Sequence, residues 1–136
     1  MASTYQAYDQ VTSLRSDIAE RIKSIGTLNQ KEAVDALRNL DTHAEKIENG
    51  KEDDFGIGPL NRELSRLATM VTSGDSRPAA ALVENVDKAC NGTRKRLSEW
   101  ESLNKSEVPQ VNSILQKSGF PSLPVKSEIP ESPACK

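Results

Sequence analysis

The sequence predicts an all-α protein: an up-down four-helix bundle with a short fifth helix and a disordered C-terminal tail. Three observations carry this expectation. Apolar residues recur in steps of three and four almost everywhere. Glycines and turn dipeptides cut that pattern into segments of helix length. No stretch shows the alternation that a strand requires. At 136 residues the chain fits one domain with room for a real core. We place the bundle over residues 1–123 and a proline-rich tail over residues 124–136.

The first helix carries Val11, Leu14, Ile18, Ile22 and Ile25, and Gly26 ends it. Asn29, followed three residues later by Glu32, has the pattern of a capping box and opens the second helix. Its stripe is Val34, Leu37, Leu40, Ala44 and Ile47, with Asn49-Gly50 as the stop. The short connection makes the pair an antiparallel hairpin. In the third helix Gly58 serves as N-cap and Pro59 as first helical residue, ahead of Leu60, Leu64, Leu67 and Val71. Ser73-Gly74-Asp75-Ser76 breaks it.

A long fourth helix starts around Arg77-Pro78 and places Leu82, Val86, Cys90, Leu97, Trp100 and Leu103 on one side. Gly92 weakens it by roughly 1 kcal/mol relative to alanine. Ser106 caps the fifth helix, with Val108, Val111, Ile114 and Leu115, and Gly119 ends it. Beyond lie Pro121, Pro124, Pro130 and Pro133, too closely spaced for regular structure.

Composition narrows the function. A formal charge of -2 gives no basic footprint for nucleic acid or an anionic membrane. Aromatic residues, at 4%, are too few for base-stacking platforms. No apolar run approaches the ~20 residues needed to span a bilayer. The first ten residues lack the basic start and apolar stretch of a signal peptide, so a complete chain would be cytoplasmic. A domain excised from an exported protein would be extracytoplasmic. Cys90 and Cys135 have no metal-ligand spacing. Cys90 reads as a small buried hydrophobe, and no bridge between the two is expected.

The stretch Glu52–Leu67, E-D-D-F-G-I-G-P-L-N-R-E-L-S-R-L, is the one place where a ligand loop could hide. A phosphate loop needs G-x-x-x-x-G-K-[ST], whereas G-I-G-P has no lysine, and its proline deletes an N–H that an anion would use. Glu52, Asp53 and Asp54 lack the alternating donors, central glycine and final glutamate of a calcium loop, so they read as a solvated turn. His43 is the sole histidine and falls on the outer face of the second helix. Di-iron bundles need paired E-x-x-H motifs, and the chain has none. Arg94-Lys95-Arg96 spreads around a helix and reads as solvated surface. Asn91-Gly92-Thr93 and Asn104-Lys105-Ser106 match the glycosylation sequon, a motif with many chance matches. No catalytic, cofactor-binding or metal-binding residue is assigned. Trp100 is expected as a core anchor, with an interface role as the alternative.

From Gly58 onward the order of segments is more distinctive. G-P-L-N-R-E-L-S-R-L, S-G-D-S-R-P, L-S-E-W-E-S-L and V-P-Q-V-N-S-I-L-Q-K-S-G-F-P-S-L follow one another. This series resembles the helical C-terminal domain that follows the BNR or sortilin-type β-propeller in bacterial proteins labelled glycosyl hydrolases. The resemblance covers most of the chain up to about Leu123. The family's propeller carries S-x-D-x-G-x-T-W boxes, and none occurs here, so the hydrolase activity does not transfer. The resemblance implies a non-catalytic packing or interaction module, an accessory domain of a larger propeller-type protein or its stand-alone relative. The alternative is a small ligand-binding or enzymatic bundle with a hidden pocket. Expected partners are a neighbouring domain or a second copy, through an apolar strip beside Tyr5 and Tyr8. No cofactor, nucleic acid, membrane or small-molecule substrate is expected.

Overall fold

In the computed structural model, residues 2–25, 31–51, 54–72, 80–124 and Pro130 are described, the side chains of 2–4, 68–72 and 80–83 excepted. The elements are α1 (Ala2–Ile25), α2 (Lys31–Asn49), β1 (Gly50–Lys51), β2 (Asp54–Phe55), α3 (Ile57–Thr72), α4 (Ala80–Ser102) and α5 (Val108–Lys117). A π-helical turn, Leu103–Glu107, joins α4 to α5. Helix accounts for 87% of these residues, which puts the chain in the all-α class.

The apolar spacing explains which faces meet. On α2 the buried residues are Ala33, Leu37, Leu40, Ala44 and Ile47, a stripe with steps of three and four. On α1 the stripe begins a turn earlier than expected, at Ala7, and continues through Val11, Leu14, Ile18 and Ile25. α1 packs on α2 and α3, α3 on α4, and α2 on α5. These faces build a main core with Trp100 at 0% exposure. Leu60, Leu67 and Ala89, with Leu64 against them, form a separate small cluster between α3 and α4. Between α1 and α2, Arg15 donates to Asp41 at 2.9 Å and to Glu48 at 2.7 Å. The Asp41 hydrogen bond, with the charges of both carboxylates, raises the Arg15 pKa against the opposing effect of burial.

Several expectations need correction. No strand was expected, yet Gly50 pairs with Phe55 and Lys51 with Asp54 in a two-stranded antiparallel hairpin. Two residues per strand are too few to show alternation in sequence. α3 starts at Ile57, because the Gly56 carbonyl already accepts from the Leu60 N–H at 3.0 Å, so Gly58 is helical and buried. On α4 Leu97 and Trp100 are buried as expected, with Leu103 just beyond, but the earlier part departs from the expected stripe. Ala89, Thr93 and Arg96 are buried, while Val86 is 37% exposed. Cys90 is half-buried and disulfide-bonded, not a free buried thiol. The expected capping box at Asn29, the break at Ser73 to Ser76 and the start at Arg77-Pro78 lie outside the described residues.

Ser106 caps nothing, because the chain stays helical from α4 into α5. Pro109 has no N–H, and its ring would clash with the carbonyl four residues back in a regular helix. The chain meets this by widening: the Val108 N–H reaches Leu103 O, five residues back. Asn104, 2% exposed, donates its side-chain amide to Trp100 O at 2.9 Å where the winding changes. α5 then ends as expected at Gly119, whose φ of 80° favours glycine. Phe120 N–H closes the turn on Leu115 O at 2.9 Å.

The chain after α5 is fastened. Asn112 donates to Leu123 O at 3.1 Å and accepts from Leu123 N–H at 2.7 Å, a two-point grip on extended backbone. Arg21 of α1 donates to the carbonyls of Pro121 and Ser122. Leu123 is buried in the main core. Of the tail expected to be disordered, Pro124 is exposed and Pro130 half-buried, and the remainder lies outside the described residues.

Trp100 fills the core and also donates Nε1–H to Gln10 Oε1 at 2.8 Å. Trp100→Ala is expected to cost about 3–5 kcal/mol, read as a lower denaturation midpoint. Native emission should be blue-shifted. Water-like emission together with an unchanged midpoint would contradict this packing.

Candidate functional site

The hairpin between α2 and α3 is the most heavily constrained surface feature. It is tight because its glycines are irreplaceable where backbones meet. Gly50 has a φ of 63°, and a Cβ there would lie 2.3 Å from Asp54 O. A Cβ on Gly56 would lie 2.5 Å from the backbone of Glu48 and Asn49. The Gly56 N–H donates to Asn49 O at 3.1 Å, which returns the chain to the end of α2.

Arg96 secures this turn from α4. Its side chain is 1% exposed, and its nitrogens donate to Phe55 O at 3.0 Å and Asp54 O at 2.8 Å. It also pairs with the carboxylates of Glu99 at 2.8 Å and Asp54 at 3.2 Å. The reading of Arg94 to Arg96 as solvated surface therefore fails at Arg96, while Arg94 and Lys95 are exposed. Periodicity alone could have raised the suspicion, since Arg96 lies seven residues beyond the buried Ala89 and four before Trp100. Lys95 donates to both oxygens of Asp54, at 3.2 and 3.1 Å. That hydrogen bond, reinforced by the charges of Arg96, Lys95 and Lys46, holds the Asp54 pKa below its usual 3.8.

The clamp leaves the Phe55 side chain outside, 40% exposed, between two recesses. One, of about 220 Å³, lies between α3 and α4 with Leu60, Ala89 and Gly92 in its wall. Gly92 lets the helices approach, since a Cβ there would lie 3.2 Å from the Leu60 side chain. The other, of about 500 Å³, has Lys51, Arg62, Arg66 and the acid Glu63 among the described residues of its rim. Glu63 is already held by Arg66, whose hydrogen bond lowers the Glu63 pKa. Phe55 is thus an apolar knob beside a rim whose described residues are mainly charged.

The residues singled out from sequence fall in different places. Tyr5 is 66% exposed, but Tyr8 is half-buried, packs on the main core and lies against Gly58. The two do not form one strip. The helix continues inward from residue 7, so Tyr8 faces α3. His43 is exposed and contacts the Glu107 carboxylate across α2 and the π turn. Among the described residues, no three His, Cys, Asp or Glu side chains come together as a metal site. No helix is long and apolar enough to cross a membrane. Of the sequons, Asn91 is exposed and Asn104 is buried.

Removing the Arg96 head group strands two hairpin carbonyls and takes a partner from Glu99 and from Asp54. Arg96→Met is expected to destabilise by about 2–3 kcal/mol. It should also increase amide exchange at residues 50–56, while Arg94→Met stays near neutral. The acid dependence follows from the lowered carboxyls. Their folded-state pKa values lie below the unfolded ones, so Asp54 and Glu63 contribute fully above about pH 4–4.5. Their contribution falls away as pH drops through the lower folded values. Asp54→Asn should flatten this acid limb in a stability-versus-pH series, and an unchanged limb would contradict the assignment.

No protein-family model, curated protein or solved structure matches this chain, so the reading of the site rests on its own geometry.

Proposed function

We propose that this protein is a non-catalytic helical interaction module, and that the Phe55 hairpin is the surface it presents. One observation carries the reading. A buried arginine is committed to holding the backbone of a short turn whose exposed residue is aromatic. A buried guanidinium has to recover a large desolvation cost through its partners. Fixing Phe55 in one position before binding lowers the entropy lost on association. Exposed aromatics set in such a rigid frame are the kind of residue that dominates protein–protein contacts.

The two described carboxylates beside the recess do not suit the general-acid role in hydrolysis. Glycoside cleavage needs an acid kept protonated by a raised pKa. Asp54 and Glu63 are both shifted the other way, by Lys95 and Arg66 respectively. On this reading the framework is an up-down four-helix bundle of α1–α4, with α5 continuing the fourth helix. That reading is supported by the packing of α1 on α2 and α3 and of α3 on α4. The role agrees with the accessory-domain context implied by the resemblance to propeller-associated helical domains. The partner is a neighbouring domain or a second copy, and its contact surface offers an apolar site to Phe55.

The direct test is concentration-dependent sedimentation of the chain, alone and mixed with a β-propeller domain of the kind the resemblance implies. Phe55→Asp is expected to weaken whichever association is seen by at least tenfold, as for loss of an aromatic anchor. Tyr5→Asp should have a smaller effect. A panel of glycosides should remain uncleaved. Turnover abolished by Asp54→Asn or Glu63→Gln would replace this proposal with an enzymatic one.

A further inference from the structure

The recess between α3 and α4 matches the kind of side chain that stands at its edge. Its volume of about 220 Å³ falls below the roughly 300–1,000 Å³ of pockets that enclose small-molecule ligands. A cavity of about 150 Å³ with aliphatic walls is already enough to hold a benzene ring. Leu60, Ala89 and Gly92 give this one apolar walls, so it suits a single aromatic side chain.

We propose that a second copy of this chain supplies that side chain: across a two-fold axis, each Phe55 enters the recess of the other copy. The inference rests on the reading of the Phe55 hairpin as an interaction surface, and adds which partner it meets and where. Two features of the patch favour a second copy over a different protein. A two-fold contact joins the same patch on both subunits, so knob and socket have to lie side by side on one surface. Phe55 and the recess do so, because Phe55 is exposed and belongs to the recess's own rim. Such a patch also has to be complementary in charge to itself. Among the described residues the rim carries both signs, Lys88 on α4 and the carboxylates of Asp54 and Glu63. A rim of one sign would repel its own image, whereas this one offers Lys88 of each copy to the acids of the other. Two aromatic side chains contribute at most about 500 Å², against the roughly 1,200–2,000 Å² of a stable interface. The remainder falls to the polar rim, which makes the dimer weak and reversible.

The test is sedimentation equilibrium of the full chain up to millimolar concentration, with two variants. Phe55→Asp removes the knob, and Asn85→Trp, on the α4 side of the rim, fills the socket. Both positions are exposed, so each variant should keep the wild-type denaturation midpoint. Each is expected to weaken the dimer at least tenfold. An equimolar mixture of the two is the decisive arm. The Phe55→Asp chain retains its socket and the Asn85→Trp chain retains its knob, so a mixed dimer has one working contact. The mixture should therefore associate more tightly than either variant alone. A dimer weakened by Phe55→Asp but not by Asn85→Trp, or a mixture no tighter than its components, would overturn the socket and leave Phe55 as an interaction residue. A chain monomeric throughout would rule out the second copy, and binding of the propeller domain would then decide the broader reading. A dimer indifferent to Phe55→Asp would sink both.

Discussion

The buried guanidinium of Arg96 is the interaction on which the rest of the surface depends. It joins α4 to the connection between α2 and α3 through two backbone carbonyls and two carboxylates. No apolar residue could do this, because hairpin carbonyls facing a helix need donors, and one planar group supplies several in fixed geometry. The arrangement is obligatory as well as stabilising. A buried charge without such partners would cost several kcal/mol. The hairpin, the start of α3 and the orientation of Phe55 are therefore consequences of one side chain on a different helix.

A second constraint acts along the chain. Pro109 forbids regular α-winding at the junction of α4 and α5, and the π turn absorbs the mismatch without breaking the helix. Helical continuity keeps Trp100, Leu103, Val108, Val111 and Leu115 in one core, although the winding changes among them. The π turn also brings Glu107 to His43 on α2. Past α5, Asn112 and Arg21 hold the extended segment against α5 and α1, so the end of the described fold closes on its beginning.

The main core takes residues from α1, α2, the later part of α4 and α5, with Ile57 of α3, and among the described side chains Leu60, Leu67 and Ala89 group beside the Phe55 recess. The bonded Cys90 lies in the same region. Rigidity at Phe55 comes from the grip of Arg96 on the hairpin backbone.

The helical class was legible because buried faces repeat at the helical period, and α2 shows its stripe from Leu37 to Ile47 as read from the sequence. The stops at Gly50 and Gly119 were legible for an equally local reason, since both sit at positive φ. The candidate site was mostly illegible. Arg96 looks like any cation in a basic run, and only the arrival of the hairpin beside α4 makes its burial tolerable. Phe55 looks like a loop aromatic, and only that clamp fixes it facing outward. Tyr8 was read as exposed with Tyr5, yet it is half-buried and lies against Gly58 of α3. The bonding state of Cys90 is likewise a matter of what the fold brings near it. Local periodicity and backbone freedom are written in neighbouring residues. Burial of a charge, exposure of an aromatic and pairing of a thiol depend on segments far away in the chain, so tertiary structure alone decided them.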